Sequence, residues 1–367
     1  EAGLIDELVS DSDALLAAAV KWIEANPQVA QRWDQKGYRL PGGSPSSPAL
    51  AGMIAVAPAV MRQKTRGRLP APEAILATMV EGAQVDFDTA SRIESRFMVE
   101  LATGSVCKNL INTFWTQMNE IKAGVGRPNG VEKRQFQRVA ILGAGMMGAG
   151  IAWACASRGI ACVLKDVSIE AAEKGKAYSA NLIDKQIARG RADGAKKTAL
   201  LGLIATTDDY AELADCDLVI EAVFESRPLK AEVTAASEAV IAGSAVFASN
   251  TSTLPITGLA EASVRPEQFI GLHFFSPVDK MPLVEIIVGA ATNDKTLAEA
   301  YDFVQQIGKT PIVVNDSRGF YTSRVFGTYT AEGMAMVEEG IAPASIENGA
   351  YLAGYPVGPL AVSDEVT

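Results

Sequence analysis

The only histidine of this chain, His273, ends the apolar run Phe269–Phe275 and precedes Glu285 by twelve residues. A neutral imidazole, whose ordinary pKa is about 6.5, is suited to accepting a proton near neutral pH. Such a base needs a carboxylate to fix its tautomer and to balance the charge of the imidazolium. Glu285 is the best-placed carboxylate. A charge on a solvent-facing strand edge is the plainer reading of it, but Leu283, Val284, Ile286 and Ile287 make an exposed position unnatural. A lone histidine between Phe274 and Phe275 is itself more often an ordinary core residue. Its place at the carboxyl end of a strand-like run argues otherwise, because open α/β sheets bind ligands at those ends.

What reacts beside such a base is indicated by residues 139–166. The apolar run Val139–Leu142 has strand character and leads into Gly143-x-Gly145-x-x-Gly148. Small and apolar residues then continue as a helix, and a second apolar run, Ala161–Leu164, ends near Asp166. Gly143 suits the tight turn out of the strand, and Gly145 lets the backbone approach a pyrophosphate. Gly148 permits close packing of helix on strand, while the helix N-terminus offers N–H groups to phosphate. Asp166 follows the first glycine by about 20 residues, where a carboxylate can take ribose hydroxyls and repel a 2′-phosphate. Glycines alone would be an ordinary turn; glycines, helix, strand and acid in this order predict a dinucleotide site selective for NAD. A base beside NAD suits oxidation of an alcohol, since the hydroxyl proton must leave as hydride leaves carbon. Asn250-Thr251-Ser252-Thr253 follows another strand-like run. It reads as a polar loop capping the next helix, where Thr253 could serve, and a hydroxyl of this loop would also face nicotinamide and carbinol.

Composition bounds the alternatives. The 367 residues allow two or three domains, and 48% hydrophobic with 21% charged residues indicates a globular chain. A net charge of −10 disfavours a broad nucleic-acid or anionic-membrane surface. No stretch approaches 18 uninterrupted apolar residues, so no integral membrane segment is expected. Four scattered cysteines without a CxxC read as reduced thiols of a cytoplasmic compartment, and one histidine makes a zinc site improbable. The chain starts at Glu1 without a signal segment, in what reads as the end of something already under way.

The elements that must position these residues alternate. Strand-like runs recur at 203–206, 218–223, 245–249, 269–275, 284–288 and 311–314, with helical patterns at 228–242, 255–261 and 295–306. Such alternation predicts an α/β doubly wound sheet. Ahead of it, helical periodicity covers 13–25, 50–62, 72–83 and a long stretch from 88 to 123. After Asp166 a helix is expected with a basic C-terminal half formed by Lys185, Arg189, Arg191, Lys196 and Lys197. A solvated face explains that cluster, and so does contact with a polyanionic substrate. From Gly319 the pattern is helical again.

These residues resemble the L-3-hydroxyacyl-CoA dehydrogenase family from Val139 to about Asp364. The resemblance rests on Gly-Ala-Gly-x-Met-Gly, Glu-Ala-Val-x-Glu, Ser-Asn-Thr-Ser, His-Phe-Phe-x-Pro, Leu-Val-Glu-Ile, Gly308-Lys-Thr-Pro-Ile-Val-Val-Asn-Asp and Gly319-Phe. Residues 88–123 are similar to the helical connector of multifunctional fatty-acid oxidation enzymes, and Gly3-Leu-Ile-Asp to the end of a crotonase-type hydratase. The resemblance implies a Rossmann-type sheet at 136–318, preceded by a hydratase end (1–87) and a linker (88–135). A truncated helical dehydrogenase domain would follow at 319–367. It implies oxidation of L-3-hydroxyacyl-CoA by NAD in β-oxidation, within a bacterial-type cytoplasmic α-subunit that also carries hydratase activity. A thiolase β-subunit would be its partner. By position, His273 would be the proton acceptor, Glu285 its orienting partner, and Ser252 a contact of nicotinamide and substrate. Met147, Asp166, Val223, Glu225, Lys230 and Ser276 would line the NAD site with the glycines; Ser323 and Arg189 would meet the acyl-CoA. Ser276 and Ser323 stand where the family often has Asn. Two alternatives stay open: another hydroxyacid dehydrogenase, which the His273–Glu285 pair disfavours, and a structural subunit that binds NAD without turnover.

Overall fold

In the computed structural model, residue 5 and residues 7–366 are described. Two compact units are found: the chain up to Ile111 with Tyr351–Tyr355, and Asn112–Ala350 with the residues from Pro356 onward.

The first unit holds helices α1 (Ser12–Ala25), α2 (Pro48–Thr65), α3 (Pro70–Gly82), α4 (Phe87–Thr103) and α5 (Ser105–Ile111). Aspartates begin two of them: Asp11 accepts from the Ala14 amide and Asp86 from the Thr89 amide, satisfying N–H groups that a helix start leaves unpaired. None of these five helices contains a buried residue. An apolar groove between α2 and α3 is lined by Ile54, Pro58, Met61, Leu76 and Val80; none of the residues singled out from the sequence lines it. The helical stretch expected over 88–123 is interrupted. Gly104 ends α4, and a π-helical segment over Asn112–Gln117 separates α5 from α6 (Met118–Ala123).

The second unit is an eight-stranded sheet: β1 (Arg138–Leu142), β2 (Ala161–Lys165), β3 (Ile204–Thr207), β4 (Leu218–Glu221), β5 (Val246–Ser249), β6 (Phe269–Phe274), β7 (Leu283–Val288) and β8 (Thr310–Asn315). Their order is β3-β2-β1-β4-β5-β6-β7-β8. The first six are parallel; β7 runs antiparallel to β6, and β8 follows β7. Alternate residues of β1 show why the runs are apolar throughout. Val139 and Ile141 belong to one buried cluster, Ala140 and Leu142 to the other, so both faces of the sheet are covered. Helices α7 (Met146–Ala156), α8 (Ile169–Ala188), α9 (Gly194–Gly202) and α12 (Asp294–Gln306) supply residues to the first cluster; α10 (Arg227–Glu238) and α11 (Ile256–Ala260) supply the second. Helices α13 (Thr322–Glu338), α14 (Pro343–Ala353) and α15 (Pro359–Val366) follow. This is the expected α/β class with a Rossmann-type sheet and a helical C-terminal segment. No helix among the described residues is long and apolar enough to cross a membrane.

One expectation needs correcting. The basic stretch does not lie on one helix: α8 stops at Ala188, Gly190 takes a left-handed φ of 67°, and Lys196 and Lys197 belong to α9. A glycine at this position is a common helix stop.

Candidate active site

The glycine turn stands between β1 and α7. Gly143 has φ 94°, which a side chain would resist, and its amide bonds to the Lys165 carbonyl at 2.8 Å. A Cβ on Gly148 would lie 1.8 Å from the Gly143 carbonyl oxygen, so only hydrogen lets α7 start this close to the strand. Gly145 faces open space, and as the N-cap of α7 it offers no side chain to the first-turn amides. Those amides, in a turn that admits close backbone approach, fit a pyrophosphate. Asp166 closes the other side, accepting the Ala144 amide at 2.6 Å and the Val167 amide at 2.7 Å. Each carboxylate oxygen keeps a lone pair for a ribose hydroxyl. Met147 is partly buried and packs against the core, whereas Met146 is 66% exposed and its sulfur receives the Ser276 hydroxyl at 3.4 Å.

Replacing Asp166 with Ser is expected to weaken NAD and to relax the preference over NADP, because the repulsion of a 2′-phosphate goes with the carboxylate. Comparison of kcat/KM for the two cofactors checks this; an unchanged ratio would place the ribose contact elsewhere.

Across the sheet, the antiparallel pairing of β6 and β7 sets His273 directly opposite Glu285. Side chains so paired leave the same face of the sheet a few ångströms apart. Nδ1 of His273 lies 2.7 Å from Oε2 of Glu285, and the two residues are 7% and 0% exposed. Glu285 has three further donors: the amides of Tyr321 (3.1 Å) and Thr322 (2.9 Å) on Oε1, and the Thr322 hydroxyl (2.7 Å) on Oε2. Burial works to raise the carboxyl's pKa, but hydrogen bonds from His273 and Thr322 outweigh it and hold the group below its ordinary value. An ionised Glu285 can only accept, so Nδ1 carries the proton and Nε2 is left as the basic nitrogen. Phe275 and Phe320 flank the ring, with centroids at 4.5 and 6.0 Å.

The loop after β5 joins the same place. Asn250 Oδ1 accepts the Phe274 amide at 2.9 Å, which ties this loop to the residue next to His273. Ser252 is exposed; its amide donates to Glu225 at 3.1 Å and its carbonyl accepts the Ser323 hydroxyl at 3.4 Å. Ser252 and Ser323 are therefore neighbours, and Ser323 follows the Thr322 that holds Glu285.

Beneath them lies a buried network that sequence reasoning only half resolved. Lys230 on α10 is 2% exposed and bonds both oxygens of Glu221, at 2.9 and 3.0 Å, while Glu225 stands 3.2 Å away. Glu221, 1% exposed at the end of β4, also accepts the Val223 amide (2.8 Å) and the Ser249 hydroxyl (2.7 Å). Glu225 accepts the Thr251 hydroxyl and the amides of Ser252 and Thr253. Burial raises its pKa, but Thr251 and Lys230 bring it below the ordinary value. The bonds made by Glu221 and Asn250 were not anticipated, nor was Thr322 as a partner of Glu285. Glu221 carried a signal, a charge closing an otherwise apolar central strand with a lysine nine residues on. Among the described residues, no hydrogen bond or ion pair joins Arg189 to this network. It is exposed at the C-terminus of α8, and of its basic neighbours Lys197 is paired with Asp184 at 2.7 Å.

Residues 138–317 match the family described as 3-hydroxyacyl-CoA dehydrogenase, NAD binding domain, and residues 319–367 its C-terminal domain. Among solved structures, the chain is similar to the (S)-3-hydroxybutyryl-CoA dehydrogenase PaaH1 from Ralstonia eutropha. The two are 38% identical with a TM-score of 0.62, over 63% of this chain and 83% of that one. FadB2 of M. tuberculosis is 34% identical with a TM-score of 0.60, over 64% of this chain and 83% of its own. The 3-hydroxybutyryl-CoA dehydrogenase of Escherichia coli K12 is 33% identical with a TM-score of 0.61, over 64% of this chain and 50% of its own. An NAD-binding Rossmann-type sheet with a paired histidine and glutamate, followed by the helical segment that supplies three of the glutamate's donors, is therefore found in a chain that belongs to the 3-hydroxyacyl-CoA dehydrogenase family.

Proposed function

We propose that the chain oxidises an L-3-hydroxyacyl-CoA to the 3-ketoacyl-CoA, with His273 as the proton acceptor. The observation that carries this reading is the 2.7 Å bond from Nδ1 of the sole histidine to a buried, fully bonded carboxylate. NAD⁺, when bound, takes up the hydrogen and electron pair leaving C3. His273 Nε2 removes the 3-hydroxyl proton, and Glu285 balances the imidazolium that forms without itself taking the proton. Ser252 in the loop after β5 and Ser323 in the first turn of α13, joined by a hydrogen bond, hold the substrate end, with Ser276 at the cofactor end beside Met146. Met147, Asp166, Val223, Glu225 and Lys230 would line the NAD site.

The same proposal places this dehydrogenase in a multifunctional α-subunit of fatty-acid β-oxidation that also carries enoyl-CoA hydratase activity. That subunit is cytoplasmic, of bacterial type, and associates with a thiolase β-subunit. Support comes from the likeness of residues 88–123 and Gly3-Leu-Ile-Asp to such enzymes and from the separate helical unit ahead of the sheet. By this reading 1–87 end the hydratase, 88–135 link, 136–318 bind NAD and 319–367 begin the helical dehydrogenase domain.

Turnover of acetoacetyl-CoA with NADH tests the activity; binding of NADH without turnover would leave a silent cofactor-binding subunit. The same assay tests Arg189 as a contact of the coenzyme A phosphates. An exposed, screened ion pair contributes about 0.2–1 kcal/mol, so Arg189→Ala is expected to raise KM for acetoacetyl-CoA by roughly 1.4- to fivefold. KM for NADH, and for a short thioester lacking the nucleotide, should stay put. Equal losses on both thioesters would mean that the helix end was merely disturbed.

A further inference from the structure

We propose that Thr322 is a positioning residue that sets the basicity of His273 through Glu285. The inference rests on the reading of His273 as the proton acceptor. Oε2 of Glu285 receives two protons at once, from His273 Nδ1 and from the Thr322 hydroxyl, each at 2.7 Å. A donor to a carboxylate stabilises its anionic form and draws charge from the accepting oxygen. The hydroxyl therefore weakens the attraction of Oε2 for the imidazolium. A valine at position 322 would keep the shape and helical backbone of threonine and remove only that donor. Oε2 would then attract the Nδ1 proton more strongly, and the imidazolium would hold its Nε2 proton to higher pH.

Among the described residues, the other titrating groups of the surrounding elements are exposed or bonded elsewhere. On β6 and β7 the only ionisable side chains are His273 and Glu285 themselves, and β8 has none. Lys309, ahead of β8, donates to the carbonyls of Val278 and Met281. Asp316, before α13, accepts from the amides of Ile256 and Thr257. Glu225 is engaged by Thr251, Ser252 and Thr253, and Arg318, Tyr321 and Arg324 are exposed. The charge of His273 helps to hold the Glu285 carboxyl below its ordinary pKa.

Because the chain has one histidine, an NMR titration of imidazole signals reads His273 alone, with no need of activity. In Thr322→Val and Thr322→Ala the midpoint is expected to rise by about 0.5 pH unit, a roughly threefold change in acidity, with Thr322→Ser at the wild-type value. The acid limb of kcat/KM for oxidation should move by the same amount. A midpoint unmoved in both hydroxyl-free variants overturns the proposal, and so does a shift that follows side-chain volume, with serine displaced as far as alanine. If the midpoint moves while the acid limb of kcat/KM does not, the hydroxyl tunes the imidazole but the imidazole is not the base. That result overturns the underlying reading of the site and leaves the tuning intact.

Discussion

His273→Gln is expected to lower kcat for oxidation by roughly 10²–10⁴-fold, the ordinary worth of a general base, with NADH affinity unchanged. An amide of similar size fills the same space under Phe275 and Phe320 and can still donate to Glu285, so the sheet should fold as before. It cannot take a proton. Single-turnover oxidation and NADH fluorescence titration on the same sample separate the two effects. A variant with near-normal kcat would remove His273 from the chemistry, and one that lost NADH as well would show a folding defect. Glu285→Gln should give a smaller loss, because the base survives without its counter-charge.

The second large effect is expected in stability. Glu221→Gln leaves the Lys230 ammonium buried with only Glu225, at 3.2 Å, as a charged partner. Removing one member of a buried ion pair costs about 3–5 kcal/mol, since the other charge stays out of water. A well-packed apolar replacement of the whole pair is often neutral. The double variant Glu221→Gln, Lys230→Met should therefore recover most of the denaturation midpoint that the single one loses. NADH affinity of the double variant then says what Lys230 is for. Affinity near wild type identifies a strut under the cofactor site, whereas a large loss at restored stability means that the ammonium itself reaches the nucleotide.

How far the sequence led depends on the kind of contact. The dinucleotide turn was legible because it is local: glycine spacing, an apolar strand and an acid fix Gly143, Gly148 and Asp166 within one βαβ unit. The pairing of His273 with Glu285 was legible for a different reason. A histidine and a glutamate inside apolar runs have few other places to go. What was not legible is direction, since an apolar strand reads alike in either sense and nothing in Leu283–Val288 announces that β7 is antiparallel. Gly190 is the signal that Lys196 and Lys197 start a second helix, and the continuous run of positive charge masks it. Thr322 left no trace, because its partner is 37 residues away and a threonine in a helical pattern is unremarked. Lys230 was expected beside the NAD site from the resemblance alone, because sequence does not assign a lysine to the surface or to the interior.

The carboxylate of Glu285 also bears on how this protein can be divided. The two family matches meet between residues 317 and 319, a natural place to cut a gene or to join halves of different origin. Glu285 lies on one side of that cut, and three of its four donors, the amides of Tyr321 and Thr322 and the Thr322 hydroxyl, lie on the other. A sheet module made alone would keep a buried negative charge with His273 as its sole donor. A chimera would take the His273–Glu285 pair from one ancestor and the other donors to Glu285 from another. The seam between two modules thus passes through the bonding shell of a single side chain, so the halves can be exchanged only as a pair.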